Sequence, residues 1–179
     1  ALDITERKQA EDLIKAQRDL GLALSAASNL EEALDKCLDA ALCISEMDAA
    51  GIYSVDDDGG LDLLLSKGVS ETFLDTVAHI PPELPESAAV TAGAPAYYGR
   101  MNPWSPDLAE AMKAEGFRAT PVIPIVFQGR VILSLHLASR TNEHVPPHLQ
   151  RALETIGSQI GAAVMRIRPR YPGPLQWGS

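Results

Sequence analysis

The sequence predicts an α+β fold in which a central antiparallel sheet is sandwiched by helices, with the N- and C-terminal helices forming a bundle on one face. Apolar residues recur at helical spacing at both ends of the 179-residue chain. Two pairs of strand-like segments, each joined by a short glycine-containing turn, lie between those ends. Hydrophobic residues make up 46% of the chain, which is enough to form a buried core.

The first predicted helix spans residues 5–27 and carries apolar or small residues at heptad spacing. This seam suits either a coiled coil with a second copy or packing on the chain's own domain. Residues 28–32, S-N-L-E-E, match a capping box and start a second helix with an apolar stripe from Leu30 to Leu42. The two positions of the first seam are filled by Ala10, Gln17 and Leu24, and by Leu13, Leu20 and Ala27.

The first predicted hairpin joins strands at 49–55 and 61–66 through the turn D-D-D-G-G. Its acids, Asp56, Asp57 and Asp58, raise the question of a cation site. A calcium loop spaces its acids at alternate positions and ends on a glutamate, so consecutive aspartates before two glycines favour a solvated turn. No metal site is expected here.

The middle of the chain is predicted to be less regular. A short helix over residues 70–79 is followed by three prolines that break the chain. The stretch up to residue 106 should be mostly irregular, with one short strand near 96–98. A further helix over 107–115 stops at Gly116.

The second hairpin is the clearer of the two. It joins residues 119–127 to 130–138 through Gln128-Gly129. Pro121 and Pro124 lie inside its first strand, so part of that strand should lack a partner on one side.

The last predicted helix begins at Pro146-Pro147 and ends before Pro169. Its apolar stripe alternates four- and three-residue steps and is more regular than the first seam. The stripe consists of Leu149, Leu153, Ile156, Ile160, Ala163 and Ile167.

Charge and composition exclude several classes of function. A net charge of -9 argues against nucleic-acid binding, which needs clustered Lys and Arg. No stretch approaches the ~20 apolar residues of a membrane span, so no membrane contact by this segment is expected. Cys37 and Cys43 lie six residues apart on different faces of one helix, so they should not bridge each other. So few cysteines fit a cytoplasmic location.

Residues 3–8, D-I-T-E-R-K, followed by Ala10-Glu11, resemble the closing signature of PAS sensor domains. The resemblance implies that the chain is part of a larger signalling protein and begins where a PAS domain stops. Residues 1–16 would then be the end of the PAS domain and a linker helix.

Residues 17–168 resemble a GAF domain, which leaves 169–179 as a proline-rich tail or linker. Leu133 stands where the family usually has glycine, a departure expected to alter local packing without changing the fold. The segments that carry the resemblance are 30–41 with 49–56, 121–139 and 153–164.

The GAF resemblance implies a non-catalytic sensory module of a bacterial signal-transduction protein, of the sensor histidine kinase type found in two-component systems. GAF modules bind cyclic nucleotides, bilins, haem or small metabolites, so a small-molecule ligand is implied but no particular cofactor. The terminal helices would form a homodimer and relay a signal between the PAS domain and an output domain, such as a histidine kinase or diguanylate cyclase. Two alternatives are a ligand-free structural dimerisation and relay domain, and a small-molecule enzyme of the methionine sulfoxide reductase type.

This sequence lacks the residues that known GAF domains use to bind cyclic nucleotides, attach bilins or catalyse thiol chemistry. The N-K-x-F-D-E signature of cyclic-nucleotide binders is absent, and both cysteines precede the sheet, which argues against bilin attachment and thiol catalysis. Cys37 lies on an apolar stripe and is expected in the core, so no catalytic residue is predicted. His144 and His148 flank Pro146-Pro147 and are expected to be surface residues rather than metal ligands.

His136 is expected to line the ligand cavity. It alternates with Ile132, Ser134 and Ala138 on one face of its strand, whereas Val131, Leu133, Leu135 and Leu137 should face the terminal helices. A neutral imidazole in that place suits a hydrogen bond to a ligand, ligation of haem iron, or a hydrogen bond to the neighbouring backbone.

Residues 97–104, Y-Y-G-R-M-N-P-W, concentrate three aromatic side chains in the segment that roofs the cavity of GAF domains. The aromatic rings offer flat walls and Arg100 offers a fork for an anionic group, or Trp104 and one tyrosine plug the cavity. The candidate ligand-binding residues are Tyr53, Tyr97, Tyr98, Arg100, Trp104, Phe117, Ser134 and His136.

Overall fold

The computed structural model describes residues 4–99 and 104–167, which contain six helices and six strands. The tail at 168–179 and candidate residue Arg100 therefore lie outside the described residues. In chain order the elements are α1 (Ile4–Ala26), α2 (Leu30–Ser45), β1 (Ala49–Val55), β2 (Leu61–Lys67), α3 (Glu71–Val77), β3 (His79–Ile80), α4 (Pro85–Thr91), β4 (Ala96–Tyr98), α5 (Pro106–Glu115), β5 (Thr120–Phe127), β6 (Arg130–Ala138) and α6 (Pro147–Ile167).

The six strands form one antiparallel sheet in the order β3-β2-β1-β6-β5-β4. Helices α1, α2 and α6 pack together on one face, with α2 against β1 and α6 against β5. Helices α3, α4 and α5 lie on the other face, where α3 packs on α5. This confirms the α+β sandwich with a terminal-helix bundle.

The main core lies between that bundle and the sheet. Leu38 of α2, Leu135 of β6 and Ile156 of α6 are fully buried there. Leu20, Leu24 and Ala27 of the first seam are buried in the same core. This part of the seam therefore packs on the chain's own domain, which was one of the two alternatives. The predicted stripe of α6 is confirmed, with Leu153, Ile156, Ile160 and Ala163 buried and Leu149 and Ile167 packed at its ends.

The helix boundaries follow local chemistry. Asn29 caps α2, because its side chain accepts a hydrogen bond from the backbone N–H of Glu32 at 2.8 Å. The Glu32 carboxylate in turn accepts from the hydroxyl and backbone N–H of Ser28. Gly116 ends α5 in the left-handed conformation, at φ 78°.

Two boundaries in the middle of the chain differ from the prediction. The helix expected over 70–79 is shorter because His79 and Ile80 leave it to pair with Asp62 and Leu61 of β2. The region expected to be irregular contains α4, with Pro85 in its first turn, a position where the missing N–H of proline is harmless.

The second hairpin turns at Gln128 (φ 51°) and Gly129 (φ 75°), as a two-residue turn with both central residues at positive φ. The pairing then skips Ile132, since Val126 faces Val131 while Ile125 faces Leu133.

This bulge corrects one prediction. Val131 packs in the cluster on the cavity side of the sheet, and Ile132 packs against the helical core, so the two lie on opposite faces from those expected. Beyond the bulge, Leu133 and Leu135 face the helices as predicted.

Strand β4 pairs with Thr120 to Val122 of β5. Pro124 lies beyond the end of that ladder, which confirms that part of β5 lacks a neighbour on one side within the described ranges. None of the helices described here combines the length and the apolarity that crossing a lipid bilayer requires.

Candidate functional site

A cavity of about 90 Å³ lies between the sheet and the helices on its second face. Strands β1, β5 and β6 form its floor, and α3 and α5 form its roof. Its walls are mainly apolar, with Leu63, Phe73, Leu74, Val77, Leu108, Met112 and Val122 among the lining residues. A cavity that holds benzene measures about 150 Å³, so this one suits a smaller molecule.

An open groove adjoins the cavity between α3 and α5. It measures about 880 Å³ and shares Phe73, Val77, Leu108 and Glu86 with the cavity. The shared residues show that the groove and the cavity meet between these two helices.

His136 lines the cavity, as predicted from strand alternation. Its Nε2 lies 2.8 Å from the hydroxyl of Ser134, which is fully buried behind it. Burial lowers the pKa of His136 to about 4, so the imidazole is neutral near pH 7. The Ser134 hydroxyl thus orients a neutral ring at the cavity floor.

Tyr53 and Phe117 also line the cavity. The ring of Tyr53 lies 4.6 Å from that of His136, and its hydroxyl donates to the carbonyl of Val77 at 2.9 Å. Burial raises the pKa of Tyr53. Phe117 meets Phe73 edge to face, with ring centroids 5.5 Å apart. These contacts tie the sheet to α3.

The aromatic segment divides between the two faces of the sheet. Tyr97 points to the terminal-helix side, where its hydroxyl lies 2.6 Å from the carboxylate of Glu154 and 3.1 Å from the carbonyl of Gln150. Tyr98 packs on the opposite side against Trp104, with centroids 4.6 Å apart. Trp104 lines the cavity, whereas neither tyrosine does. Neighbouring residues of a strand point to opposite faces, which separates residues that are adjacent in sequence.

Three polar atoms of cavity-lining residues are buried without a hydrogen-bond partner among the described residues. They are Oε2 of Glu86, Nε1 of Trp104 and Oγ1 of Thr120. Only Trp104 was anticipated from the sequence. Glu86 shares a proline-rich stretch with the exposed Glu83, and nothing in the local pattern distinguishes it from a solvated surface acid.

Arg140 fastens the roof helices to the sheet. Its guanidinium pairs with the Glu115 carboxylate at 2.8 Å, stacks over Phe117 and donates to the carbonyl of Gly68. The Ser70 hydroxyl donates to the same carboxylate. Hydrogen bonds from Ser70 and Arg140 hold the pKa of Glu115 below its usual range. The ends of α3, α5 and β6 therefore meet in one polar cluster beside the cavity.

A second polar group lies at the first hairpin, outside the cavity. The ligand-type atoms of Asp56, Asp62 and His79 all lie within 4.8 Å of one another. His79 Nδ1 is 2.7 Å from Asp62, an interaction that raises the pKa of His79. Burial, followed by the neighbouring Asp62, raises the pKa of Asp56 to about 6. The β2–β3 pairing brings Asp62 and His79 together, so this group cannot be predicted from the local sequence.

The thiols and the remaining histidines lie away from the cavity. Cys37 is buried in the helical core, where burial raises its pKa to about 12, and Cys43 is exposed. The core position of Cys37 is confirmed. His144 and His148 are both exposed, as predicted.

The sequence and the fold were compared with those of known proteins. The sequence profile of the GAF domain family matches residues 27–165. No curated protein sequence matches the chain significantly.

Solved structures share the fold at low sequence identity. The GAF domain of a phosphoenolpyruvate-protein phosphotransferase from Coxiella burnetii superposes with a TM-score of 0.74 at 20% identity, covering 90% of this chain and 97% of that one. A domain of a two-component sensor histidine kinase protein from Sinorhizobium meliloti 1021 gives 0.68 at 24%, covering 81% and 96%. The chromophore-binding domain of a bacteriophytochrome from R. palustris gives 0.71 at 16%, covering 90% of this chain and 64% of that one.

The profile match covers most of the chain, and the six-stranded sheet with its terminal-helix bundle agrees with it. The chain therefore belongs to the GAF domain family, whose members serve as regulatory and sensory modules of signalling proteins.

Proposed function

We propose that this domain is a non-catalytic sensor that binds a small molecule in the cavity between the sheet and α3–α5. The observation that carries the proposal is the cavity itself, which is lined mainly by apolar side chains and has polar side chains at its floor and edge. Its volume of about 90 Å³ favours a compact metabolite over haem or a bilin. The Ser134 contact at His136 Nε2 also opposes ligation of haem iron through that nitrogen.

The chemistry of the lining residues supports a binding role rather than a catalytic one. No cysteine of the described chain lines the cavity, and burial of Cys37 opposes formation of a thiolate. Methionine sulfoxide reduction through cysteine is therefore disfavoured.

Strand β4 offers a route from the cavity to the terminal helices. Tyr98 contacts Trp104 at the cavity, and the adjacent Tyr97 contacts Glu154 of α6. Side chains of this one short strand thus contact both the cavity side of the sheet and helix α6 on the other side. A ligand that displaces Trp104 would bias the position of α6 through this strand.

We place the domain in a cytoplasmic, homodimeric signalling protein, where the terminal helices relay its state between a preceding PAS domain and an output domain such as a histidine kinase or diguanylate cyclase. The PAS-like motif at residues 3–8 and the multidomain signalling proteins among the structural relatives support this placement.

Native mass spectrometry of the domain purified from cells tests ligand binding directly. The expected result is a folded species heavier than the denatured chain by the mass of a small molecule. Leu108→Trp fills the cavity from α5 and should remove the extra mass, whereas Ala109→Trp, at an exposed position of the same helix, should retain it. A folded species of bare chain mass would instead favour the ligand-free relay.

A further inference from the structure

Glu86 places a carboxyl group at the cavity wall with one oxygen free. The side chain is 3% exposed, and Oε1 accepts a hydrogen bond from the backbone N–H of Ser105 at 2.5 Å. Oε2 is buried and has no partner among residues 4–99 and 104–167. A buried carboxylate is strongly unfavourable unless a cation or several hydrogen-bond donors meet it.

The described chain supplies no such cation. Glu86 takes part in none of the ion pairs of the described residues. No described lysine or arginine lines the cavity, and the imidazole of His136 is neutral. Among residues 4–99 and 104–167, Glu86 Oε2 is therefore an acceptor at the cavity wall without a compensating charge.

Two further groups complete the pattern of polar atoms. The indole Nε1–H of Trp104 is a donor only, and the hydroxyl of Thr120, 6% exposed, can donate or accept. Phe73, Leu108 and Met112 supply an apolar surface beside these groups. The site thus offers a carboxylate acceptor and an N–H donor in a mainly apolar space.

We propose that the ligand is a small organic cation of the amine class, whose ammonium group pairs with Glu86 Oε2 and whose apolar body occupies the cavity. The inference rests on the proposed function, because it names the ligand class of the same cavity. Charge-assisted hydrogen bonds of this kind are about twice as strong as neutral ones, and an anionic ligand would be repelled by Glu86. The expectation that Arg100 holds an anionic group concerns a residue outside the described ranges and stays a separate prediction.

The test uses three probes that share one branched four-carbon skeleton, isobutylamine, isobutanol and isobutyrate, titrated into the ¹⁵N-labelled chain at pH 7. The indole N–H signal of Trp104 reports on the cavity. Isobutylamine should shift the Trp104 signal and bind at least ~10-fold more tightly than isobutanol, with isobutyrate weakest.

Glu86→Gln should abolish the preference for the amine while leaving isobutanol binding unchanged. Glu83→Gln, the same substitution at an exposed position three residues earlier, should keep the preference. Should Glu86→Gln fail to fold, the order of the three probes on the unaltered chain still decides the question.

Two results would overturn the inference while leaving the proposed function standing: equal binding of amine and alcohol, or retention of the amine preference in Glu86→Gln. Absence of any shift with all three probes would also overturn it. The native mass measurement then shows whether the sensor proposal fails as well, since a retained mass would mean a ligand of another class.

Discussion

The pKa of His136, lowered to about 4 by burial, makes this residue a source of acid sensitivity. The unfolded chain titrates near 6.5, so the unfolded state takes up the proton first as the pH falls. The stabilising contribution of the neutral ring is complete above about pH 6.5 and declines between about pH 6.5 and pH 4, by about 3 kcal/mol.

We expect His136→Asn to flatten the dependence of the free energy of unfolding on pH in this range. Urea denaturation at half-unit pH intervals measures the slope. His148→Asn, at an exposed position, is the control and should retain it. Equal slopes for His136→Asn and the unaltered protein would show that His136 titrates alike in the folded and unfolded states.

The contribution of Asp56 to stability changes with pH in the opposite direction to that of His136. Its pKa is raised by burial and by Asp62 to about 6, so the folded state holds the proton more tightly than the unfolded state does. Stability from this group is present below about pH 4 and is lost as the pH rises through about 6.

Asp56→Asn should therefore raise Tm by about 2–4 °C at pH 7.5, equivalent to about 1 kcal/mol after allowance for solvent screening, and change little at pH 4. Thermal unfolding in a chelating buffer at both pH values makes the measurement. Asp75→Asn, an exposed acid on α3, should have no such pH-dependent effect. A gain of the same size at both pH values would rule out the electrostatic explanation.

Sequence reasoning at this scale identified His136, Tyr53, Trp104 and Phe117 as cavity residues. It missed Glu86 because burial of an isolated acid depends on tertiary packing, which no local pattern records. The ligand-binding roles remain proposals.

Helix α6 approaches β5 closely at two glycines. A Cβ on Gly157 would lie 2.9 Å from Ile123 Cγ2, whereas a Cβ on Gly161 would lie 3.4 Å from Ile125 Cγ2. The first contact requires movement of a buried β-branched side chain, and the second is an ordinary van der Waals distance.

Alanine at these two glycines should therefore have different effects. Gly157→Ala should lower the free energy of unfolding by about 1–2 kcal/mol, because overpacking outweighs the gain in helix propensity. Gly161→Ala should be neutral or stabilising by up to about 1 kcal/mol. Chemical denaturation of the two variants side by side gives the comparison, and equal effects would contradict the close approach at Gly157.

Helices and hairpins were predictable where their signals are local. Gln128-Gly129 and the Asn29 cap depend on a few neighbouring residues, and both are found as expected. The bulge at Ile132 and the short strand His79–Ile80 depend on pairing between distant segments. Strand alternation alone therefore misplaced Val131.

At the scale of the whole molecule, α1 extends beyond the domain it belongs to. Residues 4–12 are exposed throughout. The exposed residues Ile4 and Leu22 lie about five helical turns apart on one line, and exposed Ile14 lies about 80° around the helix from that line. The buried part of the seam, at Leu20 and Leu24, is already used within the chain. A dimer interface would therefore use the exposed line.

We expect the unaltered chain to be a dimer at tens of micromolar by light scattering. Ile14→Glu combined with Leu22→Glu should give a monomer of unchanged helical content, because charges would replace the apolar contacts. Gln9→Glu, at an exposed position about 140° around α1 from the line of Ile4 and Leu22, should remain dimeric. A monomeric unaltered chain would refute the dimer.

The glycine contacts of α6 also limit how this helix can move. Gly157 and Gly161 are separated by about 6 Å along the helix, and Ile123 and Ile125 by nearly the same distance along β5. The Cγ2 methyl groups of Ile123 and Ile125 therefore lie opposite successive positions of α6 that carry no side chain. We expect a displacement of half a turn to bring a side chain of α6 against Ile123 in place of Gly157, which would favour discrete positions of α6 along the sheet. An axial movement of α6 that carries a signal would then occur in steps. A rising ligand concentration would increase the fraction of molecules in which α6 has moved, rather than the distance that each helix moves.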